Sequence, residues 1–94
     1  MKRQEILDAA AKCVNGDRDE RYGEPENNFV RISHLWNSYM QGKKFVSTRD
    51  VAAMLALVKI ARIAGGKPHA DNWVDLAGYA ACGGEIETLM RVDQ

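Results

Sequence analysis

From Val51 to Val58 the chain reads Val-Ala-Ala-Met-Leu-Ala-Leu-Val, and Ile60, Ala61, Ile63 and Ala64 continue the run. Only Lys59 and Arg62 interrupt it, three residues apart and therefore on one face of a helix. Alanine, leucine and methionine dominate, so the run favours a helix over a strand. Ser47-Thr48-Arg49-Asp50 supplies a start, with Ser47 at the cap and Asp50 in the usual Glu/Gln place of a capping box. Gly65-Gly66-Lys67-Pro68 supplies a stop and a turn. A helix from Thr48 to Ala64 is too short and too interrupted to cross a bilayer, which takes about 20 apolar residues. Because it is apolar on every face, it is expected to be buried on nearly every face. Met54, Leu55, Val58 and Ala61 are the residues expected to be nearly inaccessible. Everything else in the chain must be arranged around this element.

Three further helices are legible. The first runs from about Lys2 to Val14, with Ile6, Leu7, Ala10, Cys13 and Val14 on one side and Asn15-Gly16 at its end. Asp17 to Glu24 is a charged connector. Pro25 suits the first turn of a second helix, where its missing N–H costs nothing. Phe29, Ile32, Leu35, Trp36, Tyr39 and Met40 then recur at helical spacing, and Gly42 closes the segment. Asp71 is a candidate cap for a fourth helix through Trp73, Leu76, Tyr79 and Ile86 to about Met90. Three glycines, Gly78, Gly83 and Gly84, lie inside it, each costing roughly 1 kcal/mol relative to alanine. Either another helix docks closely on the flat face of Ala77, Ala81 and Gly84, or the helix breaks at Gly83-Gly84. No strand is convincing. The expected fold is a compact all-α, four-helix domain spanning residues 1–94 with the third helix central.

Composition narrows the function classes. Thirteen basic and thirteen acidic residues cancel, so neither bulk nucleic-acid binding nor an acidic DNA mimic is indicated. Neutral charge gives little colloidal repulsion and suits a chain that self-associates. Trp36, Tyr39, Met40 and Trp73 exceed what one small core requires. A homodimer or dimer of dimers is therefore expected, with the second or fourth helix at its interface. The charged start is not a secretory signal. Cys13 and Cys82, two thiols without metal or redox spacing, read as reduced cysteines of a cytoplasmic protein. His34 and His69 lack the partners that would signal zinc.

Chemistry concentrates where the third helix meets the fourth. Lys59 and Arg62 face Asp71 and Asp75 across a short turn, so the two helices should form an antiparallel hairpin. Counting outward from the turn places Arg62 near Asp71 and Lys59 near Asp75. Two readings stand side by side. In one, the four charges form two ion pairs that let them sit against an apolar helix. In the other, the basic groups hold a phosphate and the carboxylates a hydrated cation, since Mg²⁺ takes hard oxygen ligands. Arg21-Tyr22-Gly23 is a second candidate: Arg21 offers a guanidinium to phosphate and Tyr22 a ring to a base. Equally, Tyr22 tucks under the bundle and Gly23 serves the backbone.

Arg21-Tyr22-Gly23 with Pro25, Asn28 and Phe29, then Asp50-Val51-Ala52, Leu57 and Lys59-Ile60-Ala61-Arg62, form one pattern with Asp71-Asn72-Trp73-Val74-Asp75 and Ala77-Gly78-Tyr79-Ala80. It resembles a family of short uncharacterised phage and prophage proteins, over about Arg21 to Glu87. That resemblance implies a phage or prophage origin and residence in the host cytoplasm. More distantly, a Lys–Arg helix followed by an Asp–Asp–Tyr helix resembles the all-α nucleotide pyrophosphohydrolases of the MazG type. This second resemblance implies Mg²⁺, a nucleoside triphosphate substrate and a dimeric or tetrameric bundle, with Asp71 and Asp75 as metal ligands. Those enzymes carry an E-x-x-E pair on one helix and a second acidic pair on the next. Here only Asp71 and Asp75 match, and Glu24 and Glu26 stand at the very start of the second helix. The expectation is a non-catalytic accessory protein without a cofactor. It would bind a host or phage protein, or a small phosphorylated ligand such as a nucleotide, as a helical homo-oligomer. The pyrophosphohydrolase is the alternative.

Overall fold

The computed structural model describes residues 1–15 and 25–92, with side chains 1–15 and 29–89. Four α-helices follow one another: α1 Arg3–Asn15, α2 Pro25–Met40, α3 Thr48–Gly65 and α4 Ala70–Val92. Among the described residues there is no strand. α4 packs along α3, α1 lies on α4, and α2 lies on α3. The core is small: Phe29, Val46, Val51, Ala52, Cys82 and Ile86, with Ile32, Trp36, Met40, Leu55 and Tyr79 against it. Phe29 and Tyr79 meet with ring centroids 6.2 Å apart and planes tilted by 52°, within the range of a favourable edge-to-face contact.

The start of α3 forms as its residues dictate. Ser47 Oγ accepts the Asp50 backbone N–H (3.1 Å), and Asp50 accepts the Ser47 backbone N–H (3.1 Å). Each partner satisfies a donor that the first helical turn would otherwise leave orphaned. The Ser47 N–H bond is the main cause of a lowered Asp50 pKa, because it favours the charged carboxylate.

α3 departs from expectation in its burial. Val51 and Ala52 are buried, and Leu55 is partly covered. Met54 and Val58 are exposed, as are Leu57 (61%) and Ile60 (47%), and Ala61 is open to solvent. The reason is geometric: α2 and α4 both pack toward the Val51–Ala52 side, and no other described helix covers the far side. α3 is central in contact but covered on one face only.

α4 runs unbroken through Gly83 and Gly84, so the alternative of a break there does not occur. Its close approaches use another face than Ala77, Ala81 and Gly84. A Cβ at Gly83 would lie 3.1 Å from the Ala52 Cβ, whereas one at Gly84 would meet nothing. Ala81 and Gly84 face outward. The helix also starts two residues early, at Ala70, which puts Asp71 in the first turn instead of at the cap. There its negative charge sits favourably at the positive end of the helix dipole.

The connection from α2 to α3 is held by a polar clamp. Ser33 Oγ donates to the Val46 carbonyl (2.6 Å), and Asn37 Nδ2 donates to the same oxygen (3.0 Å). Asn37 Oδ1 accepts the Val46 backbone N–H at 2.7 Å. Gln41 and Gly42 take positive φ (54° and 81°) to turn the chain, a conformation glycine adopts without steric cost. The clamp satisfies the backbone of a buried residue and delivers Ser47 to its capping position.

Candidate functional site

An open cleft lies between the second half of α3, the connecting turn and the first turns of α4. Lys59, Arg62, Lys67, His69, Asp71, Asn72 and Asp75 line it, together with Val58 and Ala61. The hairpin expected from the short turn is present, and Lys59 Nζ lies 2.9 Å from Asp75 Oδ2. The Lys59 side chain is 12% exposed and that of Asp75 36%. A lysine this enclosed gains from a carboxylate at hydrogen-bonding distance, because an uncompensated charge there would be costly.

The outer pair does not form. Asp71 turns toward His69, with Oδ2 3.9 Å from Nδ1, and its side chain is 81% exposed. Arg62 makes no ion pair with any described residue. The cause is the earlier start of α4, which turns Asp71 out to solvent beside His69 rather than across to Arg62. The cleft wall thus carries one neutralised lysine and two cations, Arg62 and Lys67, with no carboxylate partner among the described residues.

Asp75 also lines a second, partly open pocket of about 20 Å³ with Cys13, Val14, Phe29, Gly78 and Tyr79. That is room for roughly one water molecule, not for a ligand. Arg21, Tyr22 and Gly23 lie outside the described residues. Among the described residues, no group of three or more His, Cys, Asp and Glu side chains could hold a metal ion. No helix among them is long and apolar enough to cross a membrane. Cys13 is exposed and Cys82 buried, and they are not bridged.

Sequence reasoning missed the Ser33–Asn37 clamp. Its signal was available, since positions 29, 33, 36, 37 and 40 form the inward stripe of α2 and two of them are polar.

Fold and cleft together define a class: a small all-helical protein with a basic-walled cleft at a helical hairpin and a broad apolar helix face left open. Comparison with known proteins gives the family. The chain matches the family described as Domain of unknown function (DUF6378) over residues 5–87 and belongs to it. It is 40% identical to the Gene 55 protein of Mycobacterium phage D29 over 79 residues, covering 84% of this chain and 51% of that protein. It is 44% identical to the Gene 55 protein of Mycobacterium phage L5 over 75 residues, covering 80% of this chain and 47% of that protein. The chain thus spans about half the length of these relatives. No solved structure matches it. It is a phage-type protein.

Proposed function

We propose that this protein binds a small phosphorylated ligand in the α3–α4 cleft, without catalysis, as a helical homo-oligomer. The observation that carries this reading is Arg62, which stands on the cleft wall without an ion-pair partner among the described residues while neighbouring Lys59 is paired with Asp75. A guanidinium offers a planar fork of donors that matches phosphate oxygens in pairs, and Lys67 adds a second positive charge at the rim. Arg21 and Tyr22 are further candidates for phosphate and base contacts. Asp71 and Asp75 remain candidate ligand contacts, with Lys59–Asp75 acting chiefly to position the cleft wall.

The second reading is a Mg²⁺-dependent nucleotide pyrophosphohydrolase of the MazG type, and the observation favouring it is that Asp71 and Asp75 line the cleft beside basic groups. It would use both carboxylates as metal ligands. Lys59 already engages Asp75, which leaves Asp71 alone to meet a cation and weakens this reading.

Isothermal titration against nucleoside mono-, di- and triphosphates and cyclic nucleotides, with and without Mg²⁺, tests the proposal. Expected is a saturable signal that Arg62→Ala reduces at least about tenfold in affinity, the loss of roughly 1.4 kcal/mol. Silence across the panel overturns it and makes a host or phage protein the leading partner. Release of pyrophosphate from a triphosphate in the presence of Mg²⁺ establishes the second reading instead.

A further inference from the structure

The outer face of α3 is as apolar as its buried face. Ala53, Leu57, Ile60 and Ala64 follow one another along it at spacings of four, three and four, and all four are exposed. Met54, Val58 and Ala61 flank this seam, exposed in turn. A contiguous apolar helix face of this kind marks an interaction surface.

We infer that the occupant of this face is the α3 of a second copy of the chain, packed antiparallel about a two-fold axis near residues 58 and 59. The inference deepens the homo-oligomer of the proposed function and is independent of which ligand the cleft takes. Two observations support a copy over a foreign partner. First, the seam is self-complementary. The order small–large–large–small at spacings of four, three and four reads the same in both directions. An antiparallel two-fold therefore sets Ala53 against Ala64 of the other copy and Leu57 against its Ile60. An isologous interface requires this property, and a face built for a different partner does not.

Second, the charges agree. Asp50 lies in the first turn of α3, partly exposed and 3.4 Å from Arg49 of its own chain, and Lys67 follows the helix C-terminus. The antiparallel register that matches the seam brings Asp50 of each copy to the level of Lys67 of the other, at both ends of the interface. The two helix dipoles oppose one another in the same arrangement.

Sedimentation velocity across micromolar concentrations, with wild type and Leu57→Glu, tests the surface. Leu57 is exposed in the protomer, so the variant should keep its helical circular-dichroism spectrum. Expected is a dimeric wild type, and a variant whose dissociation constant rises by at least roughly 100-fold, from burying a carboxylate twice at the seam. A wild type that stays monomeric at tens of micromolar overturns the inference, as does a Leu57→Glu variant that dimerises normally. Cross-linking tests the register in a background carrying Cys13→Ser. A short bismaleimide should join an Ala53→Cys chain to an Ala64→Cys chain when the two are mixed. Ala53→Cys chains joining to one another would instead show a parallel pair and overturn the antiparallel assignment.

Discussion

Replacing Asp75 by Asn should destabilise the fold measurably while leaving its shape intact. The substitution removes one negative charge and almost no volume, so the effect isolates the ion pair. Lys59 Nζ would keep a neutral amide oxygen in reach in place of a carboxylate 2.9 Å away. Breaking a fully buried pair costs about 3–5 kcal/mol, and an exposed pair contributes about 0–1 kcal/mol. With Lys59 12% and Asp75 36% exposed, the pair falls between these limits. The expected cost is about 1–2 kcal/mol, a fall in Tm of roughly 5–15 °C for a domain of this size. Asp71→Asn is the control. That carboxylate is exposed and lies 3.9 Å from the His69 imidazole, so its removal should shift Tm by little, within about ±0.5 kcal/mol. Thermal melts followed by circular dichroism at fixed protein concentration measure both. If Asp75→Asn melts with wild type, the pair does not hold the hairpin, and the reasoning that assigns Asp75 a positioning role fails.

Other outcomes follow from the same structure. Asn37→Ala should cost about 1–3 kcal/mol, because the Val46 backbone N–H loses the oxygen that accepts it; chemical denaturation measures it. Gly84→Ala should stabilise by up to about 1 kcal/mol through helix propensity, since nothing lies near its added Cβ. Gly83→Ala should fall short of that gain or reverse it, because Ala52 lies 3.1 Å from the new carbon; paired melts decide. Asp50 titrates below its ordinary pKa, so its contribution is present above the unfolded-state value and is lost as pH falls through the folded one. Between pH 5 and pH 2, Asp50→Asn should flatten the decline of Tm with acidity, and an unchanged slope would contradict the capping account.

Much of the architecture was legible because it rests on local chemistry. Pro25, the Ser47–Asp50 box and the Phe29–Met40 stripe each determine an element within a few residues. Lys59 and Asp75 could be paired by counting from the turn. Where reading failed, the deciding fact was not local. Nothing within α3 says which of its apolar faces its own chain covers, because that depends on where α2 and α4 settle. Arg62 and Asp71 separated because α4 begins at Ala70 rather than after Asp71, a shift smaller than any propensity argument resolves. The Ser33–Asn37 clamp escaped notice because its partner, the Val46 backbone, is carried by the following connection and by no residue type.

In the proposed dimer, α3 is apolar all round because its own chain covers one face and a second copy covers the other. The dependence of Tm on protein concentration tests it most directly, since folding coupled to dimerisation follows mass action. A hundredfold increase in concentration is worth about 2.7 kcal/mol per dimer, or roughly 7 °C for two chains of this length. The predicted result is a wild-type Tm that climbs by several degrees over that range while that of Leu57→Glu stays flat. A wild-type Tm independent of concentration, at values where the chain is folded, would contradict the claim.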